Sequence, residues 1–586
     1  MITLSKPEDK NFILMRCHYA YRQRCHSIPG AEFDYELKAW KAPIESLPRI
    51  LSEFEGEIYF KTPLWKIKGE PRPKEEEGIS FFSKPAKLPE VTLTPFDYQI
   101  KGVQFMIDRL EHIGFALLGD GVGLGKTLEA IITMKYYMEH HNSRRFLIVC
   151  KKSLKHQWAA ELKRILGNEN LPVFVTGATK KKRQEAYMAF NDSEDTENGI
   201  GILVTNYENF LNDFDILNIL NFDFCLIDEA HCVKSGKKNK AISKICSGKP
   251  TLLLTATPVM SRPEDLHGIV SLADTNFFGP MKIFEEKFLV KEFTIYGWQT
   301  VGARNLDFLK FCINKFYIAR TAEEVFANSP DNKKPPEVTE SVLRAEMDDV
   351  QRKMYDVIDK QKTALDEQKE AILGSGLLTP ESEQKIEELN EKGKMFLASL
   401  QLISDDPMCF KYLAPEHGIN KYIASIMPKN YKMSAKTEIT VDMVKELYEN
   451  DEKILIFCHF YSPARLLFDR IKEAIGVEPL MYTGAENEEK RKVNVEKFCA
   501  NDNCLPLICT EAAAEGLNLH YNCNKVLHYN QPDTYAQKNQ RTGRIARIGS
   551  KYTRAISYNV ITEESFDEVK LAKIDKDKKI TTALLK

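Results

Sequence analysis

The sequence predicts an α/β protein: two lobes, each a parallel sheet covered by helices on both faces, with helical insertions and a small α+β element at the N-terminus. Three observations predict it. From Leu93 onward, short runs that are apolar on both faces alternate with helical stretches, the pattern of buried parallel strands. A second series of such runs begins at Lys453. Each series carries one half of a phosphate-handling constellation: a glycine turn around Lys126 in the first, and an arginine strip at 540–550 in the second.

The bounds are broad but useful. A chain of 586 residues exceeds one core, so three or four domains are expected. Hydrophobic content of 43% and charged content of 28% are ordinary for a soluble globular protein. No apolar run approaches the roughly 18–20 residues needed to span a bilayer, so no membrane partner is expected. MITLSKPEDKNFILM lacks a basic segment followed by an apolar one, so an intracellular location is expected. The 13 cysteines form no CxxC pair and are expected to be reduced and mostly buried. Cys17–His18 and Cys25–His26 fit no common zinc spacing. A net charge of −2 supplies no global field for nucleic acid. Local clusters do occur at Lys151, Lys152 and Lys155, at Lys180–Arg183, and at Lys234, Lys237, Lys238 and Lys240. Falling between nucleotide motifs, they favour a groove that tracks phosphates.

Taken in order, residues 1–67 form the small domain, with strand pieces at Tyr19–Tyr21 and Glu57–Phe60 and a helix over Ile44–Phe54. Residues 68–90, rich in Pro, Lys and Glu, are expected to be a linker. The first lobe spans 91–335, with strands at Gly114–Leu118, Phe146–Cys150, Ile202–Thr205, Phe224–Ile227 and Leu252–Leu254. Residues 336–432 are expected to be a helical protrusion and connector. Apolar Leu343, Met347, Val350, Met354 and Val357 recur there at helical spacing, and Thr379-Pro380 opens a second helix. The second lobe spans 433–586, with strands at Lys453–Cys458, Pro479–Tyr482, Leu505–Cys509, Lys525–Tyr529 and Ile556–Ile561.

The chemistry-bearing residues follow from position. Asp120–Thr127, DGVGLGKT, lies between a predicted strand and a predicted helix, the context of a phosphate loop. Gly121, Gly123 and Gly125 let the backbone wrap closely, with Val122 and Leu124 between them, so that amides face phosphates at a helix N-terminus. Lys126 supplies a point charge at the β/γ-phosphates and Thr127 a hydroxyl for Mg²⁺. The strict pattern asks for Gly at position 120, where this chain has Asp120. Phe224–Ile227 runs into Asp228-Glu229-Ala230-His231. A carboxylate at a strand end can hold the metal, and Glu229 can orient and activate water. Thr255–Pro258 ends the next strand and is expected to sense the nucleotide state or simply to turn the chain. Arg544 and Arg547, at i, i+3, suit the charge that develops on a transferring phosphoryl group.

Together these blocks resemble superfamily 2 helicase-type ATPases of the Swi/Snf kind, over most of the chain from Leu93 to Ile561. LTPFDYQIKGVQFM resembles the adenine-reading motif, with Gln99 in the recognition position. FLIVCKKSLKHQWAAELKR resembles motif Ia, with Lys151 where Pro is usual, and ILVTNYENF resembles motif Ib. KILIFCHF and MYTGAENEEKRKVNVEKF resemble motif IV and its sequel, and ICTEAAAEGLNL resembles motif V. QRTGRIARIGS resembles motif VI, with Ser550 where Gln is usual and Gly543 in the general helicase form. The resemblance implies two RecA-like lobes that bind ATP and Mg²⁺, with Gln540 and Gly516 also at the nucleotide. It implies nucleic-acid contacts from Lys152, Ser153, Thr205, Asn206, Tyr207, His459, Thr483, Gly484, Arg491, Thr510 and Asn518. A narrower likeness, carried by LTATPVMSRPEDL, by GWQTVGARNLDFLKFCINKFYIARTAEEV and by IPGAEFDYELKAWKAPIESLPRIL, is to the branch containing HARP-bearing annealing helicases.

The expected activity is therefore ATP hydrolysis stimulated by DNA, with translocation along duplex DNA, forked or branched DNA among the substrates, and a monomeric protein. An RNA helicase is the alternative, because DEAH occurs there too. A nucleotide-binding scaffold that no longer hydrolyses is disfavoured by the intact Lys126, Asp228, Glu229, Arg544 and Arg547.

Overall fold

A computed structural model gives the architecture. It describes the chain except residues 1, 8–9, 18–20, 55–57, 61–66, 68–80, 194–198, 257–263, 295–296, 327–333, 375–378, 414–426, 501–502, 514–516, 518, 548 and 586. The chain divides into two units, Met1–Phe82 with Asn305–Lys315, and Ser83–Arg304 with Phe316–Lys586.

The first unit carries a mixed sheet of β1 (Ile2–Ser5), β2 (Phe12–Cys17), β3 (Glu32–Asp34), β4 (Ala39–Pro43) and β5 (Ile58–Phe60), in the order β3-β4-β2-β1-β5. Ile2, Leu4, Ile13 and Met15 alternate inward against Trp40, Ile50 and Phe54. Period-2 burial with a helix laid on one face is the α+β arrangement expected. One expectation fails here: Tyr21 precedes the helix Arg22–His26 instead of ending a strand. Tyr19 and most of the expected linker lie outside the described residues.

The second unit contains both lobes. The first lobe's sheet comprises β6 (Phe115–Leu118), β7 (Arg145–Cys150), β8 (Val173–Val175), β9 (Gly201–Asn206), β10 (Phe224–Asp228), β11 (Thr251–Leu254) and β14 (Tyr317–Ile318). Their order is β14-β6-β11-β10-β7-β9-β8, all parallel. β6, β7, β9 and β11 are buried at every position, as a sheet covered on both faces requires. A separate antiparallel hairpin pairs β12 (Leu289–Thr294) with β13 (Gly297–Ala303).

The second lobe's sheet comprises β15 (Glu337–Ala345), β16 (Leu455–Phe457), β17 (Leu480–Tyr482), β18 (Leu507–Cys509), β19 (Lys525–His528) and β20 (Arg554–Thr562). All are parallel, in the order β15-β20-β19-β16-β18-β17. β15 corrects the sequence reading. Residues 337–345 were expected at the start of the helical region, but they form nine paired positions with β20, from Glu337–Arg554 to Ala345–Thr562. Leu343 packs on the lobe's core and Ala345 is buried while Arg344 is exposed, so a period of 2 governs there. The helices begin later, at Asp349–Gly374 and Pro380–Asp405, the second capped by Thr379 with Pro380 in its first turn.

Both sheets end their strands toward the nucleotide motifs. Loops after parallel strands, at the carboxyl edge, are where α/β proteins build sites.

Candidate active site

β6 ends at Leu118. The chain then turns through Gly119–Gly125 into the helix Lys126–His140. Gly123 (φ 86°) and Gly125 (φ 85°) hold left-handed conformations that a side chain would strain. Lys126 Nζ donates to the carbonyls of Asp120 (2.7 Å) and Gly121 (3.2 Å), folding its charge into the loop. Burial pushes its pKa down, opposed by the carboxylates of Glu229, Asp120 and Asp228. Thr127 lies in the first helical turn, where backbone amides have no intrahelical acceptor. The departure at Asp120 has a physical reason. Its buried carboxylate accepts from Arg320 Nε (2.9 Å) and Nη2 (2.5 Å), and the same guanidinium reaches Glu129 (2.7 Å) on the loop's own helix.

Gln99 is buried and uses its amide within the protein. Its Oε1 accepts from the Phe96 amide (3.0 Å), and its Nε2 donates to Leu124 O (3.0 Å), which also accepts from Tyr98 OH (2.7 Å). It therefore braces the phosphate loop. Beside it opens a cavity of about 430 Å³ lined by Phe96, Tyr98, Lys101, Arg320 and Phe326.

β10 delivers Asp228 and Glu229. Asp228 accepts from Trp158 Nε1 (2.8 Å), and burial with the neighbouring Glu229 charge pushes it up to about 6. Glu229 takes a left-handed φ of 52°, which turns its side chain to within 3.2 Å of His231 Nδ1. Burial raises Glu229, but the His231 hydrogen bond and charge, with Lys126 and Lys151, outweigh it and leave it at about 2. His231 also meets Thr255 Oγ1 (2.9 Å) at the end of β11.

From the other lobe, the helix Tyr535–Thr542 leads into the arginine strip. Gly543 lies against the phosphate loop, where a Cβ would sit 2.7 Å from Val122 Cγ1. A Cβ on Gly123 would likewise sit 3.2 Å from Arg547 Cγ. Arg544 donates to Leu517 O (3.1 Å) and Arg547 to Gly543 O (2.8 Å). Burial and the Arg547 charge push Arg544 well down, with Glu229 opposing. Burial pushes Arg547 down to about 10. The structure thus brings Lys126, Glu229, Arg544 and Arg547 together across the two lobes. Gln540 is buried, with its Nε2 lacking a hydrogen-bond partner. Arg541 differs: it is wholly buried and paired with Glu511, and it also donates to Asn530 O (2.9 Å).

The expected nucleic-acid contacts divide. Lys152, Ser153 and Gly484 are exposed, and His459, Arg491 and Thr510 are partly so. Thr205, Asn206, Tyr207 and Thr483 are buried. Tyr207 OH donates to the carbonyl of Asp228, and Thr483 Oγ1 donates to Glu486 (2.6 Å). The basic clusters shrink as well. Lys155 is buried on Thr176 O, Arg183 pairs with Asp213, and Lys234 pairs with Asp265 (2.6 Å). Gly516, Asn518 and Thr257-Pro258 lie outside the described residues. Sequence reasoning missed Arg320, Glu129 and Trp158. No spacing marked the first two, and only its place in the motif Ia stretch could have flagged Trp158.

The donor set fits a magnesium-bound nucleoside triphosphate: an ammonium, a helix-start hydroxyl, two strand-end carboxylates, two guanidiniums and the unpartnered buried Gln540 amide. Among the described residues no group of three or more His, Cys, Asp or Glu could hold a metal by itself. That suits Mg²⁺, which takes few protein ligands and fills its sphere with phosphate oxygens and water.

The chain matches the model of the SNF2-related domain over residues 98–390, half of its length, and that of the helicase conserved C-terminal domain over 435–549. It is 26% identical over 497 residues to the ATP-dependent helicase YqhH of Bacillus subtilis (strain 168), covering 84% of this chain and 79% of that protein. A Mycoplasma pneumoniae ATP-dependent helicase is 25% identical, covering 80% of this chain and 40% of its own length. The SWI/SNF-related matrix-associated actin-dependent regulator of chromatin subfamily A-like protein 1 of Xenopus tropicalis is 24% identical, covering 83% of this chain. This chain spans 45% of that Xenopus protein, less than half its length. The solved SWI2/SNF2 ATPase core of Sulfolobus solfataricus in complex with dsDNA aligns at 21% identity with a TM-score of 0.38, over 85% of this chain and 96% of that one. By the family models and the two parallel-sheet lobes meeting at a phosphate loop, this chain belongs to the SNF2-related family of helicase-type ATPases.

Proposed function

We propose that this ATPase is a translocase on duplex DNA, one that remodels or anneals forked or branched DNA or displaces bound protein. One observation carries the reading: the arginine strip of the second lobe lies on the phosphate loop of the first, so nucleotide and lobe closure are coupled. Lys126 leaves its carbonyl contacts to meet the triphosphate. Glu229, ionised and aimed by His231, orients water and takes its proton. Arg544 and Arg547 stabilise charge on the transferred phosphoryl group. Mg²⁺, when bound, would be held by the Thr127 hydroxyl and the Asp228 carboxylate and would supply positive charge to neutralise the triphosphate. Opening of the cleft after hydrolysis then moves one lobe relative to the other.

Duplex DNA is favoured over RNA by the Xenopus relative, whose description is that of a chromatin regulator. Lys152, Ser153 and Gly484, with the partly exposed Arg491, supply grips from both lobes, giving salt-sensitive, sequence-independent binding. The first unit, whose β3, β4 and helix Leu47–Glu53 coincide with the HARP-like stretch, directs the motor to branched DNA. ATPase rates measured with fork, duplex, single-stranded DNA and RNA cofactors test this. Duplex and fork should stimulate most. Saturating stimulation by RNA with none by duplex would overturn the reading.

A further inference from the structure

We propose that Arg320 is a positioning residue for ATP binding, one that holds the phosphate loop in its receptive shape. The inference rests on the reading of that loop as the ATP site. β14 pairs with β6, and its hydrogen bonding continues past the strand. Gly119 N–H donates to Ile318 O (2.8 Å), and Gly121 N–H to the carbonyl of Arg320 itself (2.9 Å). The Arg320 backbone therefore fixes the path of the loop's entry.

Its side chain fixes the same loop from beneath. The guanidinium binds both oxygens of Asp120 at the loop's start (2.9 and 2.5 Å). It binds Glu129 in the loop's helix (2.7 Å) and the carbonyl of Tyr98 at the start of the helix Asp97–Ile113. Asp120 and Glu129 are fully buried, and the guanidinium gives both carboxyl groups a charged hydrogen-bond partner. Burial and the Asp120 charge push Glu129 well above the usual carboxylate range, opposed by Arg320. A planar fork serves both carboxylates and the carbonyl at once, which a lysine's point charge does not. The room for it is built in: a Cβ on Gly102 would sit 2.6 Å from Arg320 Nη2 and collide with the Glu129 carboxylate.

The consequence for ATP runs through one residue. The carbonyl of Asp120 is one of the two acceptors of Lys126 Nζ. Arg320 is thus removed by a single residue from the lysine that meets phosphate, and it touches no reacting atom. An interaction of this kind shapes the ground state and transition state alike, so its loss raises KM and leaves kcat nearly intact.

The test uses the full chain with Arg320→Lys, Arg320→Gln, and Arg320→Gln combined with Glu129→Gln, the last relieving carboxylate repulsion if the single change fails to fold. The steady-state KM and kcat for ATP, the Kd for a fluorescent ATP analogue and the Tm are measured. The expected result is a KM and Kd raised about tenfold or more with kcat changed less than about threefold, and a milder effect for Arg320→Lys. An unchanged KM in a folded variant overturns the proposal. So does a fall in kcat alone, or failure of every variant to fold, which assigns Arg320 to scaffold only. Lys126→Ala, run in parallel, separates the two readings. If it binds and hydrolyses ATP normally, the site itself is misassigned; if it is inactive while Arg320→Gln binds as the unaltered chain does, only the role of Arg320 falls.

Discussion

Gly123 of the phosphate loop faces Arg547 of the second lobe so closely that a Cβ on the glycine would lie 3.2 Å from the arginine's Cγ. Their 424-position separation in the chain makes this a tertiary relationship between lobes. Arg547 remains charged at neutral pH, since burial lowers it only to about 10. Arg547→Ala should therefore bind ATP with near-normal affinity and hydrolyse it on the order of 10³-fold more slowly, the scale of an arginine finger. Single-turnover hydrolysis compared with equilibrium binding of an ATP analogue measures the split. A wild-type rate would mean that the two lobes do not share the chemistry.

Arg541, six residues earlier, should behave in the opposite way. Its guanidinium is fully buried, pairs with Glu511, donates to Asn530 O (2.9 Å) and lies 5.2 Å over the Phe457 ring. Arg541→Ala strands a partly buried carboxylate and a carbonyl, and it should cost roughly 3–5 kcal/mol of stability. Urea denaturation followed by intrinsic fluorescence reads this. A variant with unchanged midpoint and lost activity would place Arg541 at the nucleotide instead.

The proposed DNA contacts separate by exposure. Lys152 is exposed and Tyr207 is buried with its hydroxyl on Asp228 O. Lys152→Ala should weaken duplex binding and reduce the salt slope of log K by about 1. Tyr207→Phe should leave that slope alone while slowing hydrolysis, because it acts on the strand end that carries Asp228. Titrations across a series of salt concentrations distinguish them. Equal slopes for both variants and the unaltered chain would remove Lys152 from the DNA path.

How legible all this was depends on where the constraint lies. The phosphate loop, Asp228-Glu229 and the arginine pair could be read because phosphate chemistry fixes residue types at short spacing, and the doubly buried strands could be read because both faces must be apolar. Arg320 could not, since its partner Asp120 lies 200 positions away and nothing in the spacing of YIART marks the arginine as a partner of the loop. Residues 337–345 misled because Leu343 and Met347 happen to fall four apart, while the pairing of β15 with β20 imposes a period of 2 that only the fold reveals. Thr205, Asn206 and Tyr207 occupy motif positions, and the fold packs that strand end against Thr176 and Asp228 so that their side chains are buried.

His231 gives stability a defined pH window. Burial lowers its pKa, but the hydrogen bond to Cys232 and the pairing with Glu229 outweigh this and raise it from 6.5 to about 9. A raised histidine contributes stability that is fully present below pH 6.5 and is lost as pH rises through about 9. In metal-free buffer, Tm should fall across that interval in the unaltered chain and fall less in His231→Gln. Parallel curves for the two proteins would show that His231 is not ionised in the folded state.

The second lobe's own core contains the sharpest electrostatic commitment. Lys436 Nζ binds Asp405 Oδ1 (2.9 Å) and Asp567 Oδ2 (2.6 Å), and all three side chains are fully buried. Asp405 also accepts from Asn530 Nδ2, and the Asn530 side-chain oxygen takes the amide of His459 (2.8 Å), while Gln401 holds the other oxygen of Asp567 (3.1 Å). The lysine therefore joins the end of the helix Pro380–Asp405, the helix Ala435–Glu449, the loop after β19 and the helix Phe566–Leu585. Even so, burial pushes Asp405 up to about 6, with Lys436 opposing and Asp567 adding to the rise. Lys436→Met leaves two carboxylates facing each other without a cation, and it should cost roughly 3–5 kcal/mol. Adding Asp405→Asn and Asp567→Asn removes the stranded charges and should recover most of the loss, a non-additivity expected only of groups in direct contact. Urea midpoints for the single and triple variants measure both. A triple variant no more stable than Lys436→Met would show that packing of the lysine stem, and not charge compensation, holds this junction.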